Sequence, residues 1–325
     1  MKLINALKSF AAFALVAAAP TLAFAQADNY PSRDIHIISS QAAGSGADTI
    51  VRFYANKIQE MSKRTVIVEN RQGAFGLIAF KALADAKPDG YTLYMSAGNS
   101  LASAPHLYHN MTIDPLKQFT QVTSLSKFAF MLVVPKESPY NDVKSLIEGM
   151  KKKPDHGLYG ATATSGVISS ELLKVYSGMK TTQVSYKSSR EALTDLMANQ
   201  IDWMFMDPIA ANEHIRAGRI KGLSVAMQER LGSMPDIPSM KDSGFPEIDV
   251  VTWWTVTAPA GTPKPIIDKI AGWVNEVTNS AEGKEFLNRN GMDPFVGTPE
   301  SANALVRSDS VKWKDYIAKA GIEKQ

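Results

Sequence analysis

The chain of 325 residues contains no cysteine, which excludes disulfide bonds, a cysteine nucleophile and thiolate metal ligands. An excess of charge of one sign is also missing, because 35 lysines and arginines stand against 32 aspartates and glutamates. So balanced a chain lacks the basic surface that nucleic-acid binding requires. Beyond residue 25, no segment approaches the roughly 20 apolar residues of a membrane helix. We therefore expect a globular protein that neither binds nucleic acid nor is embedded in a membrane.

An export signal is predicted at the amino terminus. Lys2 and Lys8 precede an apolar run from Phe10 to Ala19, and Ala23-Phe24-Ala25 supplies the small residues that signal peptidase needs. The apolar run is too short to span a bilayer. We expect cleavage after Ala25 and release of the remaining chain as an exported protein, which suits the absence of cysteine.

Strand and helix patterns alternate along the rest of the chain, which is typical of sheets flanked by helices. A first alternation begins with a strand at 34–40 and a helix at 47–62, and a crossing segment at 119–127 separates it from a second. About 300 residues remain after the signal, more than one hydrophobic core usually serves. The sequence predicts a two-lobed α/β fold with mostly parallel sheets and a ligand cleft at the hinge. Its predicted parts are residues 26–120 as the first part of lobe 1, residues 121–231 as lobe 2, and residues 232–325 as a return segment whose C-terminal helices complete lobe 1.

Three turns of small and polar residues follow predicted strands, and ligands of such sheets collect at the carboxyl ends of strands. Small residues let backbone N–H groups approach an oxyanion, and a helix amino end adds roughly half a positive charge. The turns are therefore candidate binding sites for a carboxylate. The first contains Ser39, Ser40, Gln41, Ala42, Ala43, Gly44, Ser45 and Gly46, the second Ala97, Gly98, Asn99 and Ser100, and the third Thr162, Ala163, Thr164, Ser165 and Gly166.

Two aspartates accompany the predicted turns. Asp48 follows the first glycine loop, and we expect it to cap the next helix or to order the loop. Asp207 precedes Pro208, and we expect it to accept a hydrogen bond or to cap the helix that begins there.

Catalytic and cofactor motifs are missing from the sequence. The glycine loop lacks the third glycine of the dinucleotide fingerprint and a Walker lysine, and no Gly-x-Ser-x-Gly elbow is present. His106 and His109 have the spacing of ligands on one helical turn, but no carboxylate or third histidine lies near them, and Pro105 with Asn110 indicates a loop. We expect no metal, no cofactor and no enzymatic activity. An exported enzyme that acts on an organic acid is the alternative from another class.

Motifs from one end of the chain to the other resemble a single family. They are Tyr30-Pro-Ser-Arg33, Ala43-Gly-Ser-Gly-Ala-Asp48 with Arg52, Val68-Glu-Asn70, Lys87-Pro-Asp-Gly-Tyr-Thr-Leu93, Val184-Ser-Tyr-Lys187, Gly218-Arg-Ile-Lys-Gly-Leu223, Pro235-Asp-Ile-Pro238, Trp254 and Ala258-Pro-Ala-Gly-Thr-Pro263. Together they resemble the substrate-binding proteins of tripartite tricarboxylate transporters, the Bug family. The resemblance implies a type II-like periplasmic-binding-protein fold that closes on an organic acid in the periplasm.

The resemblance also implies partners and site positions. The partners would be a small carboxylate and the integral membrane subunits of a tripartite tricarboxylate transporter, to which a monomeric receptor docks transiently. Carried over by position, Ser40 to Asp48 would be the first-lobe anion loop, Ala97 to Ser100 a flanking turn, and Thr162 to Val167 the second-lobe loop, while Asp207 would line the cleft. Backbone amides, hydroxyls and water would hold the carboxylate oxygens more than arginine does.

Two departures from the family pattern bear on the ligand. The chain has Ser40-Gln41-Ala42 where the family usually has phenylalanine or a similar residue with proline, and Val167 where a histidine commonly stands four residues before the helix glutamate, here Glu171. Loss of a polar group from the wall favours a ligand with an apolar body, such as the aromatic dicarboxylate terephthalate. Citrate or another aliphatic di- or tricarboxylate is the alternative.

Overall fold

The computed structural model describes residues 29–109 and 111–324, and these residues form two sheets with helices packed on both. The predicted two-lobed α/β fold is confirmed. The predicted signal peptide at residues 1–25 lies outside the described residues.

The first sheet has six strands in the order β11-β4-β10-β3-β1-β2. Strand β1 pairs in parallel with both β2 and β3, whereas β10 pairs antiparallel with β3 and β4. Its strands are β1 (Ile35–Ser39), β2 (Val66–Asn70), β3 (Thr92–Ala97), β4 (Phe119–Ala129), β10 (Val251–Pro259) and β11 (Asp293–Pro294).

The second sheet has five strands in the order β7-β6-β8-β5-β9. Strand β6 pairs in parallel with β7 and β8, and β5 pairs antiparallel with β8 and β9. Its strands are β5 (Met131–Pro135), β6 (Leu158–Ala161), β7 (Thr182–Ser185), β8 (Trp203–Met206) and β9 (Ile220–Val225).

Helices connect the strands and cover both sheets. The α-helices are α1 (Gly46–Ser62), α2 (Leu77–Ala84), α3 (Asn99–Leu107), α4 (Pro115–Gln118), α5 (Val143–Lys152), α6 (Thr164–Ser177), α7 (Ser189–Met197), α8 (Pro208–Arg216), α9 (Lys264–Asn279), α10 (Ala281–Arg289) and α11 (Pro299–Lys319), with a 3-10 turn at Ala74–Gly76. Two of the last helices, α9 and α11, contact β4 of the first sheet. The hydroxyls of Tyr54 and Thr278, 2.8 Å apart, also join α1 to α9.

The sheets are mixed rather than mostly parallel, which corrects the prediction. The predicted crossing segment at 119–127 is itself part of β4, and the chain enters the second sheet only at Met131. It returns to the first sheet through β10. The chain leaves the first sheet at the end of β4 and re-enters it at the start of β10, and these two strand ends lie on the same side of the sheet. The paired strands β4 and β10 therefore run in opposite directions. The division into lobes at residue 120 stays a prediction, but the strands change sheets about ten residues later.

The two connections between the sheets meet at one point. Ala226 donates its N–H to the Phe130 carbonyl at 2.9 Å, and Val250 donates its N–H to the Ala226 carbonyl at 2.8 Å. The turns after β3 and β6 meet between the two sheets through Asn99 and Ser165, and the helices that follow β1 and β8 meet there through Gly46 and Ile209. Among the described residues, no helix combines the length and apolar character needed to cross a bilayer.

Candidate functional site

Asp48 fixes the first predicted turn through the hydrogen bonds that its carboxyl accepts. Its carboxyl, 1% exposed, accepts hydrogen bonds from the Gly44 N–H at 2.9 Å, Arg52 Nε at 2.7 Å and Asn70 Nδ2 at 2.7 Å. Asn70 also donates to the Gln41 carbonyl at 3.0 Å. The prediction that Asp48 orders the glycine loop is confirmed. Because these donors occupy its carboxylate, the visible role of Asp48 is to position the loop.

The ionisation of Asp48 follows from these contacts. Burial opposes the charged form, but the hydrogen bonds from Asn70, Gly44 and Arg52 outweigh it and hold the pKa of the carboxyl below its usual value. The carboxylate is therefore charged at neutral pH. The turn ends at Ser45, whose Oγ accepts the Asp48 N–H at 3.1 Å and caps α1.

Ser40 connects this turn to the end of β3. Its Oγ lies 3.0 Å from Tyr94 Oη and 3.4 Å from Ser96 Oγ. Burial raises the pKa of the Tyr94 hydroxyl, so the phenol stays neutral. Three hydroxyls thus stand together at the carboxyl ends of β1 and β3.

The second predicted turn continues directly into a helix. Asn99 begins α3, and Gly98 precedes it with its N–H donated to the Trp253 carbonyl at 2.6 Å. A Cβ at Gly98 would overlap the Trp253 ring. Glycine is therefore required there by packing rather than by a ligand. Ser100 donates its hydroxyl to the Ala97 carbonyl at 2.8 Å.

The predicted loop around Pro105 is wrong, because Pro105 and His106 lie within α3. A proline near a helix end removes one hydrogen bond, and burial of Leu101, Ala102 and Ala104 offsets that loss. His106 Nε2 lies 2.9 Å from Ser310 Oγ on α11. Within residues 29–109 and 111–324, no cluster of three or more histidine or carboxylate side chains could hold a metal ion.

The third predicted turn meets the second one across the two sheets. Ser165, 1% exposed, accepts a hydrogen bond from Asn99 Nδ2 at 2.8 Å, and its Oγ lies 3.3 Å from Thr252 Oγ1. A Cβ at Gly166 would lie 2.8 Å from the Phe205 carbonyl oxygen. Gly166 thus allows α6 to pack on β8. Val167 is partly buried and packs against the core.

The helix amino ends at this junction differ in their caps. Asp207 caps α8 through the Ala210 N–H at 3.0 Å and accepts the Ser189 hydroxyl at 2.8 Å, so the predicted capping role is confirmed. By contrast, Gly98 before α3 and Ala163 before α6 give those helices no side-chain cap among the described residues. The first N–H groups of a helix have no intrahelical acceptors. The two ends that Asn99 and Ser165 join therefore offer free donors and positive dipole ends.

The glycines of the first turn differ from each other. Gly46 begins α1 opposite Ile209 of α8, and a Cβ at Gly46 would overlap Ile209 Cγ2. Gly44 has φ of +74°, which favours glycine, and no described atom lies within 4 Å of where its Cβ would stand. Gly46 is thus a contact between the lobes, whereas Gly44 shapes the exposed loop.

The structure therefore unites parts of all three predicted turns with Asp207 at one junction. Residues that the sequence did not predict are Tyr94, Ile209 and Thr252. Tyr94 and Thr252 read as ordinary strand residues, and Ile209 as part of a helical stripe. Two grooves of about 430 and about 380 Å³ lie beside the first sheet, and neither is lined by a residue of the three turns.

Comparisons with known proteins place the chain among transport receptors. Residues 50–322 match the sequence profile described as tripartite tricarboxylate transporter family receptor. BugT of Bordetella pertussis is 27% identical over 309 residues, which cover 94% of this chain and 95% of BugT. The structure of Rpa4515 of R. palustris with adipate has a TM-score of 0.83 and 28% identity, covering 91% of this chain and 100% of that one. The periplasmic binding protein BugD has a TM-score of 0.80 and 28% identity at the same coverages, 91% and 100%.

Proposed function

The chain belongs to the tripartite tricarboxylate transporter family of receptors, and we propose that it captures a small carboxylate between its lobes for uptake by such a transporter. The observation that carries this proposal is the junction of α3 and α6, where two helix amino ends without side-chain caps face each other across the Asn99–Ser165 bond. Free N–H groups and helix dipoles favour an anion at such a place. The integral membrane subunits of the transporter would then dock transiently and take the ligand.

Binding without chemical change is part of the proposal. Ser165 is the best-placed hydroxyl, but its partners are Asn99 and Thr252, neither of which can act as a general base. Asp48 and Asp207 are engaged in ordering the loop and capping a helix. The hydrogen-bond partners of these three side chains therefore favour a receptor over an exported enzyme.

We further propose that the ligand is a dicarboxylate with an apolar body. Ile209 and Val167 present apolar side chains from the second lobe near the first helix turns of α8 and α6. Rpa4515 was solved with adipate, in which an apolar chain separates two carboxylates. Terephthalate is the rigid aromatic member of this class. The extra hydroxyl and third carboxylate of citrate would lose water at apolar walls without full replacement.

The proposed location is the periplasm, and the proposed form is a monomer. An export signal cleaved after Ala25 would deliver the chain there, which agrees with the relationship to BugD, a periplasmic binding protein. Purification from the periplasm followed by intact-mass measurement and light scattering checks both points. A mass that retains the first 25 residues, or a dimer, would overturn them.

The direct test is a binding panel on the chain purified from the periplasm. Adipate, terephthalate and citrate are compared by thermal unfolding and calorimetry, with the uncharged diamide of adipate as a matched control. A ligand at 100 times its Kd should add about 2.7 kcal/mol to the free energy of unfolding. We expect stabilisation by a diacid, none by the diamide, and recovery of the acid intact by mass analysis.

Each part of this proposal has its own contrary result. No stabilisation by any acid would contradict carboxylate capture, and chemical turnover of the acid would contradict a pure receptor. Tighter binding of citrate than of adipate and terephthalate would contradict the proposed apolar wall of Val167 and Ile209.

Closure of the two lobes on the ligand is a further expected result. The lobes join at Phe130, Ala226 and Val250, and a ligand that contacts both sides shifts the population toward the closed form. Small-angle scattering with and without saturating adipate or terephthalate should show a smaller radius of gyration in the presence of the ligand that binds. An unchanged radius would indicate a cleft that is closed before binding.

A further inference from the structure

Trp254 carries a buried hydrogen-bond donor without an acceptor. Its side chain is 2% exposed, and its indole Nε1 has no hydrogen-bond partner among the described residues. Most buried polar groups in proteins are hydrogen-bonded, so an unpaired indole N–H calls for an explanation. The indole nitrogen can only donate, which restricts its partner to an acceptor.

The position of Trp254 is at the junction of the lobes. Its Cα is paired with that of Ala97, the last residue of β3 and the first of the second predicted turn. Alternate residues of a strand share a face, so Trp254 lies on the same face of β10 as Thr252. Thr252 contacts Ser165, which is bonded to Asn99.

Other tryptophans show what is distinctive about this one. Trp253, its neighbour in sequence, donates its indole N–H to Asp309. Trp203 also has an unpaired Nε1, but it lies in the second sheet, where its ring stacks on Tyr159 with the ring centroids 5.0 Å apart and meets Phe205 edge to face at 6.3 Å. The two unpaired indoles therefore differ in their surroundings, because that of Trp254 lies at the lobe junction and that of Trp203 lies in an apolar core. Trp203 can serve as the control for Trp254.

Two more buried polar atoms at the junction lack partners in the described part of the chain. They are Asn99 Oδ1 and Thr162 Oγ1. The oxygen and nitrogen of an amide are interchanged by a flip, so Asn99 can also accept from Ser165 and turn its N–H groups outward. Unpaired buried polar atoms occur elsewhere in the described residues too, but Asn99, Thr162 and Trp254 each belong to, or pair with, one of the predicted turns, where a ligand could supply the missing partner.

We propose that Trp254 contacts the ligand and helps determine its specificity, an inference that rests on the proposed carboxylate receptor. Opening of the lobes, which the expected closure on the ligand implies, would uncover the buried indole, so that its N–H donates a hydrogen bond to a carboxylate oxygen and its ring packs against the apolar body of the acid. Neutral donors of this kind stabilise a carboxylate in a cleft without a paired arginine or lysine. The ring also rewards burial of an apolar body, so Trp254 discriminates against acids whose middle is polar.

The test compares Trp254→Phe with Trp203→Phe in the full exported chain, because each substitution removes one unpaired indole N–H and keeps an aromatic ring. Calorimetry uses adipate and terephthalate. A hydrogen bond to a charged group contributes enough for Trp254→Phe to weaken binding about tenfold or more, whereas Trp203→Phe leaves affinity within about twofold. Both substitutions remove buried ring atoms and leave a cavity, so both should lower the unfolding temperature of the ligand-free protein to a similar extent, and only Trp254→Phe should weaken binding.

A second readout uses the unaltered protein with ¹⁵N-labelled tryptophan. We expect the Trp254 indole resonance to shift strongly when the acid is added, while the Trp203 resonance stays in place. If Trp254→Phe fails to fold, substitution of each other tryptophan assigns the Trp254 signal by elimination.

The outcomes separate the two proposals. Binding of an acid together with equal affinity of Trp254→Phe, or with an unmoved Trp254 resonance, overturns the role of Trp254 and leaves the receptor function standing. If no acid binds the unaltered protein, the proposed function fails and the role of Trp254 falls with it.

Discussion

Replacement of Gly46 by valine is expected to weaken ligand binding by about a hundredfold or more while leaving each lobe folded. A Cβ at residue 46 would overlap Ile209 Cγ2, and valine adds two further methyl groups at the same place. The amino end of α1 and the amino end of α8 would then be held apart. A ligand that bridges the lobes would lose its contacts to one side, and loss of two hydrogen bonds to a charged group, each about 1.5–3 kcal/mol, accounts for at least that factor. Calorimetry with the acid that binds the unaltered protein measures the change.

Two further variants isolate the clash between the lobes. Ile209→Ala removes the opposing side chain, so the double variant Gly46→Val with Ile209→Ala should recover much of the lost affinity. Gly272→Val is the control for valine itself, because Gly272 lies in α9 and no described atom surrounds the place of its Cβ. Full affinity in a folded Gly46→Val protein would mean that the ligand-bound lobes do not approach at this point.

Local signals predicted most helices and parallel strands well. Helix α5 has its buried apolar residues at helical spacing, and Asp142 with Ser145 forms a capping box at its start. Gly178 has φ of +72° and ends α6, as the glycine after an apolar stripe predicts. Such elements carry their period, start and stop signals within a few residues, so no distant contact is needed to recognise them.

Strand β4 could not be recognised because its polar residues are buried. Thr123 donates to Asn275 Oδ1 at 3.0 Å or to the Gly297 carbonyl at 2.8 Å, and Ser126 contacts the Met292 sulfur. Read alone, these polar residues indicate a surface connection. Their partners lie more than 150 residues further along the chain, where no local pattern points to them.

The candidate site was predicted as turns but not as a set of residue roles. Turn composition marked 39–46, 97–100 and 162–166, because glycine, serine and threonine between a strand and a helix are visible locally. Whether Gly46 faces an anion or Ile209 depends on how the lobes meet, and this is a tertiary contact. The donor of Trp254 was likewise hidden, since an aromatic residue in a strand usually indicates core packing.

Loss of the Asp48 carboxylate is the second large effect that we expect, and it acts on stability as well as on binding. Asp48→Ala leaves the Gly44 N–H and Asn70 Nδ2 without their acceptor beneath the loop. Breaking a buried ion pair costs several kcal/mol, but Arg52 is 49% exposed and reaches water easily. We therefore expect the free energy of unfolding to fall by about 2–3 kcal/mol in urea denaturation. Ligand affinity should fall as well, because the loop loses the contact that fixes its shape.

The matched control is Asp85→Ala, which removes an exposed carboxylate, directly after the end of α2, that pairs with Lys81 four residues before it. Its side chain is 62% exposed, so its loss should lower the free energy of unfolding by less than about 0.5 kcal/mol. Equal effects of the two substitutions would contradict the structural role of Asp48.

The dependence on pH distinguishes the charge of Asp48 from its shape, and Asp48→Asn is the variant that reports it. The folded pKa of Asp48 is lowered, so its carboxylate stabilises the fold fully above the pKa of the unfolded chain, about 3.9, and loses that contribution as the pH falls through the folded pKa. The difference in unfolding free energy between the unaltered protein and Asp48→Asn should therefore be constant near pH 6–7 and shrink below about pH 4. A difference that grows on acidification would show that the ionised carboxyl is unfavourable in the fold. A difference that stays constant down to pH 3 would show that the missing charge is not the reason for the lower stability of Asp48→Asn. The reason would then be geometric, because the amide N–H groups face the donors of Gly44 and Arg52.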